Sequence, residues 1–122
     1  MTIDAQQIAD RYVALWNDSN PATRRAAIEQ LWLKDGQHYV RTLKAQGYDA
    51  LEKRVTGSHE KNVRDGGFEF RCQRNVQQLQ DAITFNWEML RPSSGEVVSV
   101  GLEFLKIDGA GRIATDYQFI VW

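Results

Sequence analysis

The sequence predicts an α+β fold, in which helices from the first half pack on one face of a strongly curved antiparallel sheet from the second half. Apolar residues recur at helical spacing over the first 60 or so positions and alternate with polar residues from position 68 onwards. Near the end of the chain, two long β-type runs, 96–107 and 112–122, flank a glycine-rich turn. This arrangement predicts a final antiparallel hairpin.

The first two helices are predicted from spacing and capping residues. Residues 4–17 carry four apolar side chains at helical spacing, Ile8, Tyr12, Leu15 and Trp16, and Asp4 can cap this helix. A second helix begins at Pro21, which suits a first turn, behind Asn20 as its cap. We expect it to extend to about Leu33.

A third helix and three further strands follow. From about Tyr48, one helical stripe carries Tyr48, Leu51, Val55 and His59. Residues 37–40 indicate a short strand, and residues 68–74 and 82–90 alternate as longer ones. With the final hairpin, these segments predict one domain over residues 1–122.

Composition excludes several classes of function. The net charge of −1 and the absence of a basic patch argue against nucleic-acid binding. Cys72 is the only cysteine, so neither an internal disulfide nor a cysteine-based zinc site is expected. No phosphate loop, dinucleotide fingerprint or metal-ligand spacing occurs, so we expect no cofactor and no metal. The sequence shows no signal peptide and no membrane span, which predicts a cytoplasmic protein that does not bind membranes.

The predicted hairpin brings two carboxylates together. Folding about the turn places Glu103 opposite Asp116, on a face that mixes polar and apolar residues. Facing carboxylates are costly unless they are hydrogen-bonded, protonated or functional. If both point inward, one remains protonated and donates a hydrogen bond, while the other is an acceptor or base. Alternatively, basic or backbone groups satisfy the pair, or both side chains reach water.

The opposite hairpin face is almost entirely apolar, with Val98, Val100, Leu102, Phe104, Tyr117, Phe119 and Val121. An uncovered face of this kind predicts a homodimer formed through the sheet. The alternative is that the helices cover this face as the core.

Further residues are candidates for a ligand pocket. Trp16 and Trp87 either wall an aromatic cavity or fill the core, and a cavity would suit a small apolar or cyclic molecule. Gln118 shares a face with Asp116 and could orient a ligand. Val55 and His59 lie on the third-helix stripe, where His59 is either a buried structural residue or a proton carrier. His38 could reach the pocket mouth.

Four segments resemble the nuclear-transport-factor-2-like superfamily, in its SnoaL-like and ketosteroid-isomerase-like branch. They are Arg11-Tyr12-Val13-Ala14-Leu15-Trp16-Asn17, Leu31-Trp32-Leu33-Lys34-Asp35-Gly36, Gly47-Tyr48-Asp49-Ala50-Leu51, and the hairpin from Gly101 to Ile113. The resemblance implies a cone-shaped, cystatin-like α+β roll that encloses a pocket. It also implies an enolate-stabilising donor pair, Tyr12 and Glu103, as in ketosteroid isomerases. The general-base aspartate of those enzymes corresponds here to Val40 or a residue near it.

Two functional hypotheses follow. The first is a cofactor-independent isomerase, cyclase or lyase that uses Tyr12, Glu103 and Asp116 for acid–base chemistry on a carbonyl ligand. The second is a noncatalytic ligand-binding or dimerisation module of the same fold. The carboxylate pair favours the first hypothesis, and Val40 at the base position favours the second.

Overall fold

A computed structural model describes residues 2–122 as three α-helices, one π-helical segment and seven strands. The helical elements are α1 (Ala5–Asn17), α2 (Pro21–Leu31), α3 (Tyr48–Ser58) and the π segment (His59–Asp65). The strands are β1 (Trp32–Val40), β2 (Leu43–Gln46), β3 (Glu69–Cys72), β4 (Gln77–Leu79), β5 (Ala82–Leu90), β6 (Val97–Ile107) and β7 (Ile113–Ile120). The α+β prediction is confirmed.

The helix starts follow the predicted capping chemistry. The Asp4 side chain accepts a hydrogen bond from the Gln7 backbone N–H at the start of α1, and Asn20 caps α2 ahead of Pro21. The second helix is shorter than predicted, because the chain becomes extended at Trp32 and continues as β1. Trp32 therefore enters the core from a strand.

The strands form one sheet in the order β2-β1-β7-β6-β5-β3, and β4 also pairs with β5. The prediction of a purely antiparallel sheet is wrong in one respect, because β1 pairs with β7 in parallel and the sheet is mixed. Local alternation identifies a strand but does not reveal its partner when the two are far apart in sequence. Strands β2 and β4, at four and three residues, also escaped prediction.

The final hairpin has a register two residues from the predicted one. Glu103 pairs with Gln118, and Asp116 pairs with Leu105, so Glu103 and Asp116 are diagonal neighbours rather than directly opposite. One residue of the difference lies in the turn, where Ile107 pairs with Ile113, and the other lies in an irregularity of the pairing between Lys106 and Ile107. Since the shift is even, both carboxylates stay on the same sheet face.

That face carries the core, which the three helices cover. Its fully buried members are led by Trp32, Tyr12, Phe85, Leu15, Ile28, Leu51, Ile83, Leu105 and Ile113. Gly101 lies directly across from Trp87, and its lack of a side chain makes room for the indole, because a Cβ there would lie 2.1 Å from the ring. The position of this tryptophan therefore depends on a glycine.

The opposite sheet face remains largely uncovered within the chain. Phe119 is 55% exposed, Val121 54% and Tyr117 42%. The helices thus cover the mixed face rather than the apolar one, which excludes the alternative that the apolar face is the helix-covered core. No helix among residues 2–122 is both long and apolar enough to cross a membrane.

Candidate active site

Four buried polar side chains from four different elements meet beneath α1. Tyr12 comes from α1, His38 from β1, Glu103 from β6 and Asp116 from β7, and each is at most 1% exposed. The Tyr12 hydroxyl lies 2.5 Å from Asp116 Oδ2 and 3.0 Å from Glu103 Oε2. His38 Nδ1 lies 2.7 Å from Asp116 Oδ2. We call these four residues the polar cluster.

The sheet topology determines this meeting. Parallel pairing of β1 with β7 places His38 in register with Asp116, and the β6–β7 register brings Glu103 within one diagonal step. Tyr12 lies on the buried stripe of α1 and reaches down to the sheet between the rings of Trp16, Trp32 and Phe85. Its hydroxyl therefore meets both carboxyl groups.

The cluster is extended at both ends by hydrogen-bond donors. Trp87 Nε1 donates to Glu103 Oε1 at 2.9 Å. Arg54 Nε, from α3, donates to His38 Nε2 at 3.3 Å. Because a guanidinium can only donate, His38 Nε2 is an acceptor and the neutral ring carries its proton on Nδ1. His38 therefore donates to Asp116.

Counting protons assigns the remaining bonds. The Tyr12 hydroxyl has one proton but lies within hydrogen-bond distance of two carboxyl groups. It donates to Asp116 at the shorter distance, so its oxygen accepts from Glu103, which must then be protonated. Every hydrogen bond in the cluster points toward Asp116, the one carboxylate that carries the charge.

The pKa shifts agree with this assignment. Burial, followed by the Asp116 charge, raises the pKa of Glu103 well above its ordinary value. Burial also opposes ionisation of Asp116, but His38 and the hydrogen bonds that its Oδ2 accepts from His38 and Tyr12 hold the pKa of Asp116 below the ordinary value. Burial and the two neighbouring carboxyl groups raise the pKa of Tyr12. The directions of these shifts agree with Glu103 as the neutral acid and Asp116 as the carboxylate.

A cavity of about 850 Å³ opens above this floor. Its wall combines apolar and aromatic side chains, among them Trp16, Phe70, Trp87 and Met89, with the polar edge formed by Tyr12 and Glu103. Asp116 and His38 lie behind that edge and are not part of the wall. A ligand in the cavity would therefore meet the neutral acid first.

The structure brings most of the predicted site residues to the cavity. Tyr12, Trp16, Val40, Trp87, Glu103 and Gln118 line it, and Asp116 supports it from behind. Val55 and His59 do not line it. Both are buried on the α3 stripe that packs into the core, and His59 Nδ1 lies 3.2 Å from the Trp16 carbonyl oxygen.

Sequence reasoning missed Arg54 and the position of His38 in the polar cluster. The cavity-facing stripe of α3 and the π segment is the neighbouring one, which carries Ala50, Lys53, Arg54, Gly57, Lys61 and Asn62. Its polar residues are typical of a solvated face, so periodicity selected the wrong stripe. The small residues Ala50 and Gly57 were the available signal. His38 could be assigned only with the parallel β1–β7 pairing in hand.

The same cluster offers a possible cation site. Ligand atoms of His38, Glu103 and Asp116 lie within 4.8 Å of one another. However, Glu103 accepts a hydrogen bond from Trp87 and forms another with Tyr12. Asp116 Oδ2 accepts hydrogen bonds from Tyr12 and His38. Asp116 Oδ1 has no hydrogen-bond partner among the described residues, but a cation that also bound Glu103 and His38 would have to displace their bonds.

Solved structures share this fold. A "putative isomerase of the SnoaL-like family" from Agrobacterium tumefaciens is 19% identical with a TM-score of 0.84, and the match covers 97% of each chain. A SnoaL-like protein from Burkholderia thailandensis is 13% identical with a TM-score of 0.69, covering 99% of this chain and 100% of that one. A "putative polyketide cyclase" from Sinorhizobium meliloti is 12% identical with a TM-score of 0.64, covering 95% and 99%.

The fold is therefore that of the SnoaL-like and nuclear-transport-factor-2-like proteins, and other similar structures are described as having a cystatin-like fold. The predicted resemblance is confirmed at the level of the fold. No protein-family model matches the chain, and no curated protein matches it.

Replacing Glu103 with glutamine tests its protonation through stability. A carboxyl whose pKa is raised by folding binds more protons in the native than in the unfolded state, so stability falls as pH rises above the ordinary carboxyl range. Glutamine does not ionise, so it removes this loss of stability at high pH, and its amide oxygen can still accept the hydrogen bond from Trp87 Nε1. We expect Glu103→Gln to gain stability relative to wild type as pH rises from 5 to 8, by up to about 1.4 kcal/mol per pH unit.

The measurement is urea unfolding at several pH values. Glu88→Gln is the control, because Glu88 is paired with Arg71 outside the cluster and should show no such rising difference. A constant stability difference between Glu103→Gln and wild type across the range would mean that Glu103 is ionised in the native protein.

Proposed function

We propose that this protein performs cofactor-free acid–base chemistry on a small carbonyl compound, as an isomerase, cyclase or lyase. The observation that carries the proposal is the proton count, which leaves a neutral Glu103 carboxyl at the edge of a cavity with a mixed apolar and polar wall. A neutral acid held in a dry site can donate to a carbonyl oxygen and stabilise the charge that develops there. The SnoaL-like fold fits this chemistry by analogy only.

In this proposal each cluster member has a defined role. The Glu103 proton turns from the Tyr12 oxygen to the carbonyl oxygen of the ligand, and Trp87 holds the carboxyl in place through Nε1. Tyr12 orients the Glu103 proton, while Asp116 keeps the Tyr12 proton pointed away from Glu103. Gln118, the register partner of Glu103, has a buried Oε1 without a partner among the described residues.

A proton acceptor is also needed, and His38 is the best candidate. Asp116 is enclosed behind Tyr12, and His59 lies against a backbone carbonyl. The Nδ1–H of His38 is fixed by Asp116, and its Nε2 accepts a hydrogen bond from Arg54, whose side chain borders the cavity. A shift of Arg54 would uncover a base already oriented by a carboxylate. This places the base two residues from Val40.

One observation favours a noncatalytic ligand-binding module instead. Among the described residues, the cavity wall contains no histidine and no carboxylate other than Glu103. In the resting arrangement no base therefore faces the ligand. Such a cavity could bind a small apolar or cyclic molecule without reacting with it.

Hydrogen–deuterium exchange separates the two functions. The probe is 2-tetralone, a bicyclic ketone with acidic α-protons, followed by proton NMR in D₂O. We expect the protein to accelerate α-proton exchange and the Glu103→Gln and His38→Gln variants to lose most of the acceleration, since loss of one acid or base typically costs about 10²- to 10⁴-fold.

His59→Gln is the matched control, because His59 is equally buried but lies outside the polar cluster. It should retain the acceleration. Binding of the ketone without accelerated exchange would instead support the noncatalytic module, and equal rates in wild type and Glu103→Gln would contradict the role of Glu103.

We also propose a homodimer formed through the outer sheet face. Its support is the uncovered apolar patch on β6 and β7, which includes the exposed Tyr117 and Phe119. Patches of this kind on soluble proteins mark interfaces, and two-fold pairs are the commonest oligomers. A dimer would leave both cavities on the opposite, helix-covered side.

Sedimentation velocity at micromolar concentration tests the dimer. We expect a dimer for wild type and a monomer for Phe119→Glu, because a charge in the centre of an apolar interface is left unpaired. Glu69→Gln, on the far edge strand β3, should remain dimeric. A monomeric wild-type protein would rule out the interface.

A further inference from the structure

The cavity is surrounded by positive charge that the acid–base site does not require. Five basic residues line it: Arg41, Lys44, Lys53, Arg54 and Lys61. The only acidic residue in the wall is Glu103, which the proton count leaves neutral. The chain as a whole has a net charge of −1, so the positive cavity is a local feature.

These five residues also lack acidic partners. Among residues 2–122, none of them lies within 4.0 Å of a carboxylate, whereas six of the other ten basic residues do: Arg25, Arg64, Arg71, Arg74, Arg91 and Lys106. Unpaired like charges around one concave surface repel one another. An anion that enters such a surface reduces this repulsion, so its binding is electrostatically favourable.

Arg54 is the most informative member of the group. It is half-buried, lies with its guanidinium carbon 5.1 Å from the centre of the Trp16 ring, and uses Nε to hold His38. Its two terminal nitrogens have no hydrogen-bond partner among the described residues, although the residue borders the cavity. Burial lowers its pKa and nearby Arg41 adds to this, while Tyr12, Glu103 and Asp116 oppose it.

A half-buried guanidinium with free terminal nitrogens is suited to one chemistry. The planar fork of arginine matches the two oxygens of a carboxylate, which can accept two parallel hydrogen bonds. The two terminal nitrogens are free to bind a ligand, and movement of Arg54 toward that ligand would release His38 Nε2, the proposed base. Arg41, whose charge acts on Arg54, lies in the same wall and would share the anion.

We propose that the cavity takes a small organic carboxylate, with its carboxylate on Arg54 and Arg41 and its apolar body between Trp16 and Trp87. This deepens the proposed function, on which it rests for the second contact, a carbonyl group directed at Glu103. The substrate class is therefore an oxo acid with a flat or cyclic apolar body. Lys44, Lys53 and Lys61 attract the anion toward the cavity.

The test compares an anion with its neutral analogue by isothermal titration calorimetry. The probes are 2-naphthoate and 2-naphthamide, which share the bicyclic body but differ in charge. Wild type should bind 2-naphthoate at least about tenfold more tightly than 2-naphthamide, and added NaCl should weaken only the first. Arg54→Gln should lose this preference.

Two further variants keep the result decisive. Arg112→Gln, an exposed arginine outside the cavity wall, should keep the preference of wild type. Arg54→Lys retains the charge without the fork, so it should show an intermediate preference. Unchanged binding of 2-naphthamide to the Arg54 variants would show that their cavity is intact.

The outcomes also separate this inference from the proposed function. Equal affinity of wild type for both probes, or a preference that survives in Arg54→Gln, would overturn the anion proposal while leaving ketone exchange as a test of Glu103. Failure of both probes and of 2-tetralone to bind would overturn the cavity as a ligand site, and with it both proposals.

Discussion

The structure depends on the burial of one negative charge. Asp116 is completely buried on β7, where a carboxylate requires hydrogen-bond donors, and its Oδ1 has none among the described residues. Two donors reach its Oδ2, Tyr12 from α1 and His38 from β1, and each brings a different element to the sheet. The Tyr12 hydroxyl has only one proton, which it donates to Asp116. Its hydrogen bond with Glu103 therefore requires a proton on the Glu103 carboxyl. The neutral acid is thus a consequence of how the charge is buried.

This constraint links packing to chemistry. The aromatic rings around Tyr12 and the indole of Trp87 exclude water from the floor, and the absence of water raises the pKa of Glu103. Arg54 completes the arrangement from α3, since its charge acts on Asp116 and Glu103 while its Nε fixes the tautomer of His38. The wall that faces a ligand therefore combines a neutral donor with positive charge, which suits an oxo acid better than a purely apolar molecule.

The sequence predicted what depends on local patterns. Helical spacing, the caps at Asp4 and Asn20, and alternation in β5 and β6 gave the elements, and the even hairpin shift left Glu103 and Asp116 on the predicted face. It could not predict the parallel β1–β7 pairing, and therefore missed the contact of His38 with Asp116. It also assigned the apolar α3 stripe of Val55 and His59 to the pocket, because a polar stripe facing a cavity has the same pattern as one facing solvent.

The most direct test of this account is carbon-13 NMR of the side-chain carboxyl groups, with Glu103 and Asp116 assigned by the Glu103→Gln and Asp116→Asn variants. We predict that at neutral pH the Glu103 resonance has the chemical shift of a protonated carboxyl, while Asp116 remains ionised down to below the ordinary range of aspartate. Ordinary titration of both groups, or protonation of Asp116 in place of Glu103, would contradict it.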